Sequence, residues 1–141
     1  MDFMSLFEFA VKNDASDIHL QAEVAPAIRI GGIVRHVDRP PLTDTEVRDL
    51  ITEMVPERFR DNIDDRLIKG IVFSYSLPGL TRFRCSAYRH LGLPGVAMRV
   101  IKNRIRTIDE LHLPPVISDI THSSRGLTLI TGTTGSGKST T

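Results

Sequence analysis

Apolar side chains at positions 3, 6, 7, 10 and 11 recur with the three-four spacing of an amphipathic helix, and Asn13-Asp14 supplies a stop, so the chain is predicted to open on a short helix. SDIHL (16–20) then alternates polar and apolar residues, the period of a half-buried strand. After Pro26, AIRI and IVRHV flank Gly31-Gly32, a dipeptide that accepts positive φ, which predicts a hairpin. Thr43 stands three residues before Glu46 in the capping-box pattern. Apolar positions 47, 50, 51, 54 and 55 continue it into a helix ending near Pro56, with a second helical piece expected over PERFRDNI.

IVFSYSL (71–77), Pro78-Gly79 and TRFRCSAYRH (81–90) predict a second hairpin. Strand alternation puts Phe83, Cys85 and Ala87 on one face and Arg82, Arg84 and Ser86 on the other. GVAMRVI (95–101) is a further strand with Arg99 as its one charge. A second capping box, Thr107 to Glu110, predicts another helical segment, broken by Pro114-Pro115 before a turn or two of helix through VISDI. LTLIT (127–131) is a five-residue apolar run of the kind that forms a strand covered on both faces in a parallel sheet. The residue pattern places the domain boundary after VISDI, before Arg125-Gly126.

Residues 132–139 read Gly132-Thr133-Thr134-Gly135-Ser136-Gly137-Lys138-Ser139, a full match to the G-x-x-x-x-G-K-[ST] phosphate loop, directly after the expected strand. The glycines let the backbone curl so that consecutive N–H groups form a concave nest for phosphate oxygens at the start of the next helix. Lys138 would neutralise the β- and γ-phosphates, and the Ser139 hydroxyl would hold Mg²⁺. The candidate nucleotide-binding residues are Gly132, Thr133, Thr134, Gly135, Ser136, Gly137, Lys138, Ser139 and Thr140, with ATP and Mg²⁺ as the implied cofactors. A P-loop fold also needs later parallel strands and an acid on one of them. The 141 residues are thus expected to be the N-terminal portion of a longer ATPase, and inactive alone.

Charge adds a second pointer. From Arg66 to Ile108 there are nine basic residues and no acid, so the rest of the chain holds nine basic residues and all 17 acids. The net charge of +1 conceals that asymmetry. Two readings follow: an anion docks on the basic strands, or those strands pair with acids elsewhere. Apolar residues at 40% and charged residues at 25% are ordinary for a globular domain and exclude a disordered or fibrous chain. No apolar run approaches the roughly 20 residues of a membrane span, and the acid in MDFMSLFEF argues against a signal peptide, which points to the cytoplasm. Five histidines with no H-E-x-x-H pattern and one cysteine, Cys85, make a metal cage improbable. His19 shares a strand face with Asp17, so a hydrogen bond between them is expected.

The order of motifs resembles the hexameric ATPases of type IV pilus retraction, the twitching-motility (PilT-like) branch of the type II/IV secretion ATPase superfamily. The matching blocks are ASDIHL (15–20), PAIRIGG (26–32), RFRCSAYRH (82–90), VAMRVI (96–101), TIDELHLP (107–114) and RGLTLITGTTGSGKSTT (125–141). The resemblance implies an α+β, PAS-like N-terminal domain over 1–102, followed over 103–141 by linker helices and the first strand and P-loop of an α/β RecA-like motor domain. It also implies a homo-hexamer, a pilus inner-membrane platform protein as partner, and a place at the inner face of the cytoplasmic membrane. Arg84 and Arg99 fall where the family's phosphate-sensing arginines fall, and are catalytic candidates beside Lys138. Thr133 departs from the proline that family members usually carry. The family's Walker B acid lies beyond Thr141. Type II secretion or pilus assembly is the neighbouring role within the superfamily. The rival from another class is nucleic-acid binding on the Arg-aromatic run RFRCSAYR, weakened because alternation puts Phe83 and Tyr88 on opposite faces. A third reading is a purely structural assembly module.

Overall fold

The computed structural model describes residues 2–102, 106–133, 136–138 and 140–141. The chain divides into two compact units, Met1–Asn103 and Arg104–Thr141.

The first unit is a sheet with helices on one side. Helix α1 (Phe3–Lys12) begins at Asp2, whose carboxylate accepts from the Ser5 N–H at 2.7 Å, and buries Leu6, Phe7 and Ala10 one helical turn apart. Strands β1 (Asp17–Gln21), β2 (Ala27–Ile30) and β3 (Ile33–His36) follow, with Gly31 and Gly32 at φ +56° and +83° in the β2–β3 turn. That left-handed pair gives a two-residue loop the twist of its flanking strands. Helix α2 (Asp44–Met54) starts with a complete capping box and buries Val47, Leu50, Ile51 and Met54.

PERFRDNI forms only a 3-10 turn, Glu57–Phe59, before Asn62 enters the left-handed region at φ 56°. A helix cannot run through such a residue, which asparagine tolerates better than most. Helix α3 (Ile63–Lys69), absent from the expectation, starts after it and ends at Gly70. Strands β4 (Ile71–Leu77), β5 (Thr81–His90) and β6 (Leu93–Ile101) complete an antiparallel sheet in the order β3-β2-β1-β6-β5-β4.

Cross-strand register lines up two adjacent rows. Ile28, Ile18, Met98, Cys85 and Phe73 stand opposite one another from β2 to β4 and are all buried in the core with the apolar faces of α1, α2 and α3. One residue further along each strand, Arg29, Asp17, Arg99, Arg84 and Ser74 form the neighbouring row. Because strand side chains alternate, that second row points away from the core. Phe7 and Phe83 meet at 5.6 Å between ring centroids, where α1 rests on the sheet.

The second unit has less regular structure. The capping box at 107–110 closes: the Thr107 N–H donates to the Glu110 carboxylate at 2.9 Å and the Glu110 N–H donates to the Thr107 hydroxyl at 3.2 Å. The expected helix nevertheless stops after one turn, because His112 takes φ +52° and Pro114-Pro115 follows. Helix α4 (Val116–Thr121) matches the expected turn or two. LTLIT does not form the expected strand, and Leu127, Leu129 and Ile130 are 82%, 74% and 50% exposed. A strand needs hydrogen-bonding neighbours, and among the described residues of this unit there is no second strand to supply them. Among the described residues no helix is long and apolar enough to cross a membrane.

Candidate functional site

Two regions carry the candidate chemistry. The first is the polar row of the sheet. Arg84 and Arg99, separated by fifteen positions in sequence, are directly opposite partners on β5 and β6. They line one depression of about 300 Å³ together with Asp17, Val72, Ser86 and Ala97. Like charges directly opposite across two strands destabilise a sheet. The compensation comes from β1, where Asp17 is the register partner of Arg99.

Asp17 is held from several sides. Its Oδ1 accepts from Arg99 Nε at 3.0 Å, its Oδ2 accepts from the Ser16 hydroxyl at 2.9 Å, and Arg29 Nε stands 3.4 Å from Oδ2. Only 13% of the Asp17 side chain is exposed, against 71% for Arg99. Burial alone would raise the Asp17 carboxyl, but the Ser16 hydroxyl and the Arg99 guanidinium outweigh it and hold the group below its ordinary value. Arg84 has no ion pair or hydrogen-bonded side-chain partner among the described residues.

The two readings of the basic segment divide between residues. Arg89, Arg99 and Lys102 pair with Asp64, Asp17 and Asp14, acids from outside it. Arg82 and Arg84 take no acid among the described residues. The expected Asp17–His19 hydrogen bond does not form. Asp17 is committed to Ser16, Arg29 and Arg99, and His19 Nε2 is buried with no hydrogen-bond partner among the described residues. Sequence reasoning therefore missed Asp17 and Arg29 as members of this constellation. The alternation of SDIHL put Asp17 on the correct face, but nothing local indicates which strand lies beside it.

The aromatic residues of RFRCSAYR are placed as alternation required. Phe83 is fully buried against Phe7, and Tyr88 lies on the other face over its register partner Gly95, where an added Cβ would come within 3.0 Å of the ring. Cys85 is in the core, and burial pushes its thiol up to about 12.

The second region is the loop after Thr131. Thr134, Gly135 and Ser139 lie outside the described residues. Around them, Lys138 Nζ donates to the Thr133 carbonyl at 2.7 Å, and the Ser136 N–H donates to the same carbonyl at 3.2 Å. A Cβ at Gly132 would come within 2.5 Å of Ser136 Oγ, so a side chain there would have to displace that hydroxyl. Gly137 takes φ +93°, and the Thr140 and Thr141 N–H groups donate to its carbonyl at 2.8 and 3.0 Å.

A family model described as type II/IV secretion system protein matches residues 2–141. The chain is 38% identical over 141 residues to the type IV pilus retractation ATPase PilT of Pseudomonas aeruginosa, covering all of this chain and 40% of that protein. It is 32% identical over 140 residues to the type IV pilus ATPase PilU of the same organism, covering 99% of this chain and 36% of PilU. Among solved structures, the crystal structure of the pilus retraction motor PilT with bound ADP matches with a TM-score of 0.81 at 32% identity, over 99% of this chain and 40% of that one. The chain thus spans about 40% of the length of the relatives it matches.

Proposed function

Because this chain belongs to the type II/IV secretion system protein family, we propose that it is the N-terminal part of an ATP-hydrolysing motor that powers type IV pilus retraction and twitching motility. In this reading residues 1–102 form a PAS-like domain and residues 103–141 begin a RecA-like P-loop domain. The observation that carries it is the unbroken phosphate-loop motif at 132–139 in a chain 38% identical, end to end, to a pilus retraction ATPase.

The residues fit a nucleotide's polyphosphate. Lys138 already places its ammonium on a loop carbonyl, an oxygen that it can exchange for a phosphate oxygen, and Gly137 sits at φ +93°, where a side chain is strained. Lys138 would bind the β- and γ-phosphates, the amides of the loop would orient them, and the Ser139 hydroxyl would hold Mg²⁺. The ion would supply neutralisation of phosphate charge. Arg84 and Arg99 meet phosphate charge from the sheet face, where planar guanidinium groups can each donate two parallel hydrogen bonds. The assembly is a homo-hexamer in the cytoplasm, at the inner face of the membrane, engaging a platform protein of the pilus base. Type II secretion is the neighbouring use of the same machinery.

ATP turnover tests the reading. The 141-residue chain turns over no faster than a buffer blank. A polypeptide extending it to its relatives' length hydrolyses ATP, and loses that activity on Lys138→Ala. Turnover by the 141 residues that disappears with Lys138→Ala overturns the assignment of catalysis to the longer protein. Wild-type turnover in the extended Arg99→Ala variant removes Arg99 from the site.

A further inference from the structure

We propose that Asp17 is a positioning residue that holds Arg99 by its Nε–H, so that the two terminal amino groups of this guanidinium face an anion beside Arg84. The inference rests on the reading of the Arg84–Arg99 face as a phosphate-binding surface, and adds to it the device that orients one of the two arginines.

Arg99 is mostly exposed and would sample many rotamers alone. Its only ion-pair partner among the described residues is Asp17, and that contact uses Nε. A guanidinium gripped at Nε has its stem and plane restrained while both terminal nitrogens stay open for bidentate contact with an oxyanion. The holder is itself held. Asp17 is nearly buried, Ser16 donates to its other oxygen, and Arg29 stands against that same oxygen. Register places the holder on the far side of Arg99 from Arg84, so the carboxylate steadies Arg99 without standing between the two arginines. It also offsets the repulsion of two directly opposed cations in a sheet that must keep both.

Removing Asp17 also removes a negative charge near an anion site, which by itself favours binding, so the test compares two variants of equal charge. Asp17→Asn keeps an oxygen that can accept from Arg99 Nε; Asp17→Ala does not. Inorganic tripolyphosphate is titrated into the 141-residue chain carrying Lys138→Ala, which removes the loop's ammonium, and is followed by the Arg Nε–H NMR signals. Immobilising a long side chain costs on the order of 1 kcal/mol, so Asp17→Ala binds about three- to tenfold more weakly than Asp17→Asn. Its Arg99 Nε–H signal broadens through faster exchange with water. Equal affinities and an unchanged Arg99 signal in the two variants overturn the positioning role. In the same Lys138→Ala background, binding that survives in Arg84→Ala/Arg99→Ala with undiminished affinity, followed by backbone amide shifts of β5 and β6, overturns the phosphate-face reading instead.

The unsubstituted chain supplies a check that needs no variant. Acidification through the Asp17 titration moves the Nε–H signals of Arg99 and Arg29 and leaves Arg84's in place. Ser16, His19, Arg29 and Arg99 are the groups facing that carboxylate. An Arg99 signal indifferent to that titration also overturns the proposal.

Discussion

Two Thr-x-x-Glu boxes, at 43–46 and 107–110, close the same reciprocal pair of hydrogen bonds in the two units of this protein. The first opens an eleven-residue helix; the second opens a single turn. After Glu46 come Val47, Leu50, Ile51 and Met54, all buried in the core cluster that includes the inner face of the sheet. After Glu110, Leu111 and Leu113 are half-buried, His112 is left-handed and two prolines follow. A cap satisfies the first orphan N–H groups, but an apolar stripe with something to cover decides how far a helix runs. The same contrast separates TRFRCSAYRH, which lies between β4 and β6, from LTLIT, whose leucines are exposed.

The sharpest way to break this comparison is to remove one large apolar side chain from each unit. Phe83→Ala deletes a fully buried ring and should cost about 3–5 kcal/mol, read as a fall in the urea midpoint. Leu129→Ala should stay within about 0.5 kcal/mol of wild type, since most of that side chain is exposed. Equal losses would mean that the two units are not as different as their burial indicates.

The two caps give a smaller contrast. Thr43→Ala should lower stability by about 1 kcal/mol, because it frees the N–H groups of a helix that the core depends on. Thr107→Ala should change the same midpoint by less than about half of that, since one isolated turn holds no buried stripe.

Asp17 sets the next effect. Its folded-state pKa is depressed, so its contribution is present above the unfolded carboxylate value and is lost as pH falls through the lower folded value. The stability gap between wild type and Asp17→Asn should be flat near neutrality, about 1 kcal/mol at most, and should shrink below about pH 4. A gap that grows on acidification contradicts the sign. Last, Cys85 should resist thiol reagents at pH 8 in the native chain and label only on unfolding, because burial keeps it a thiol until about 12.

Much of the first unit was legible locally. The period of α1, the Gly31-Gly32 turn, the Thr43 box and the alternation of β5 all depend on residues a few positions apart, and each formed as read. The alternation even put Arg82, Arg84 and Ser86 opposite Phe83, Cys85 and Ala87. Helix α3 was missed because its start is set by the left-handed Asn62 and its burial by Ile63 and Leu67, too few apolar positions to make a period. Asp17 was given the wrong partner. His19 is its neighbour on the same strand face, but the Arg99 that holds it arrives from 82 residues further along.

By itself the sequence determined α1, α2 and the strands of the first unit, the faces of those strands and the phosphate-loop motif, since these follow from backbone stereochemistry and side-chain period within a few residues. Tertiary structure alone decided which strands lie side by side, and so which charges meet. Placing β1 against β6 brings Asp17 to Arg99 and leaves Arg84 open. That pairing is selected by burying one apolar row, Ile28 to Phe73, beneath three helices; a slip of one residue would turn the arginines into the core.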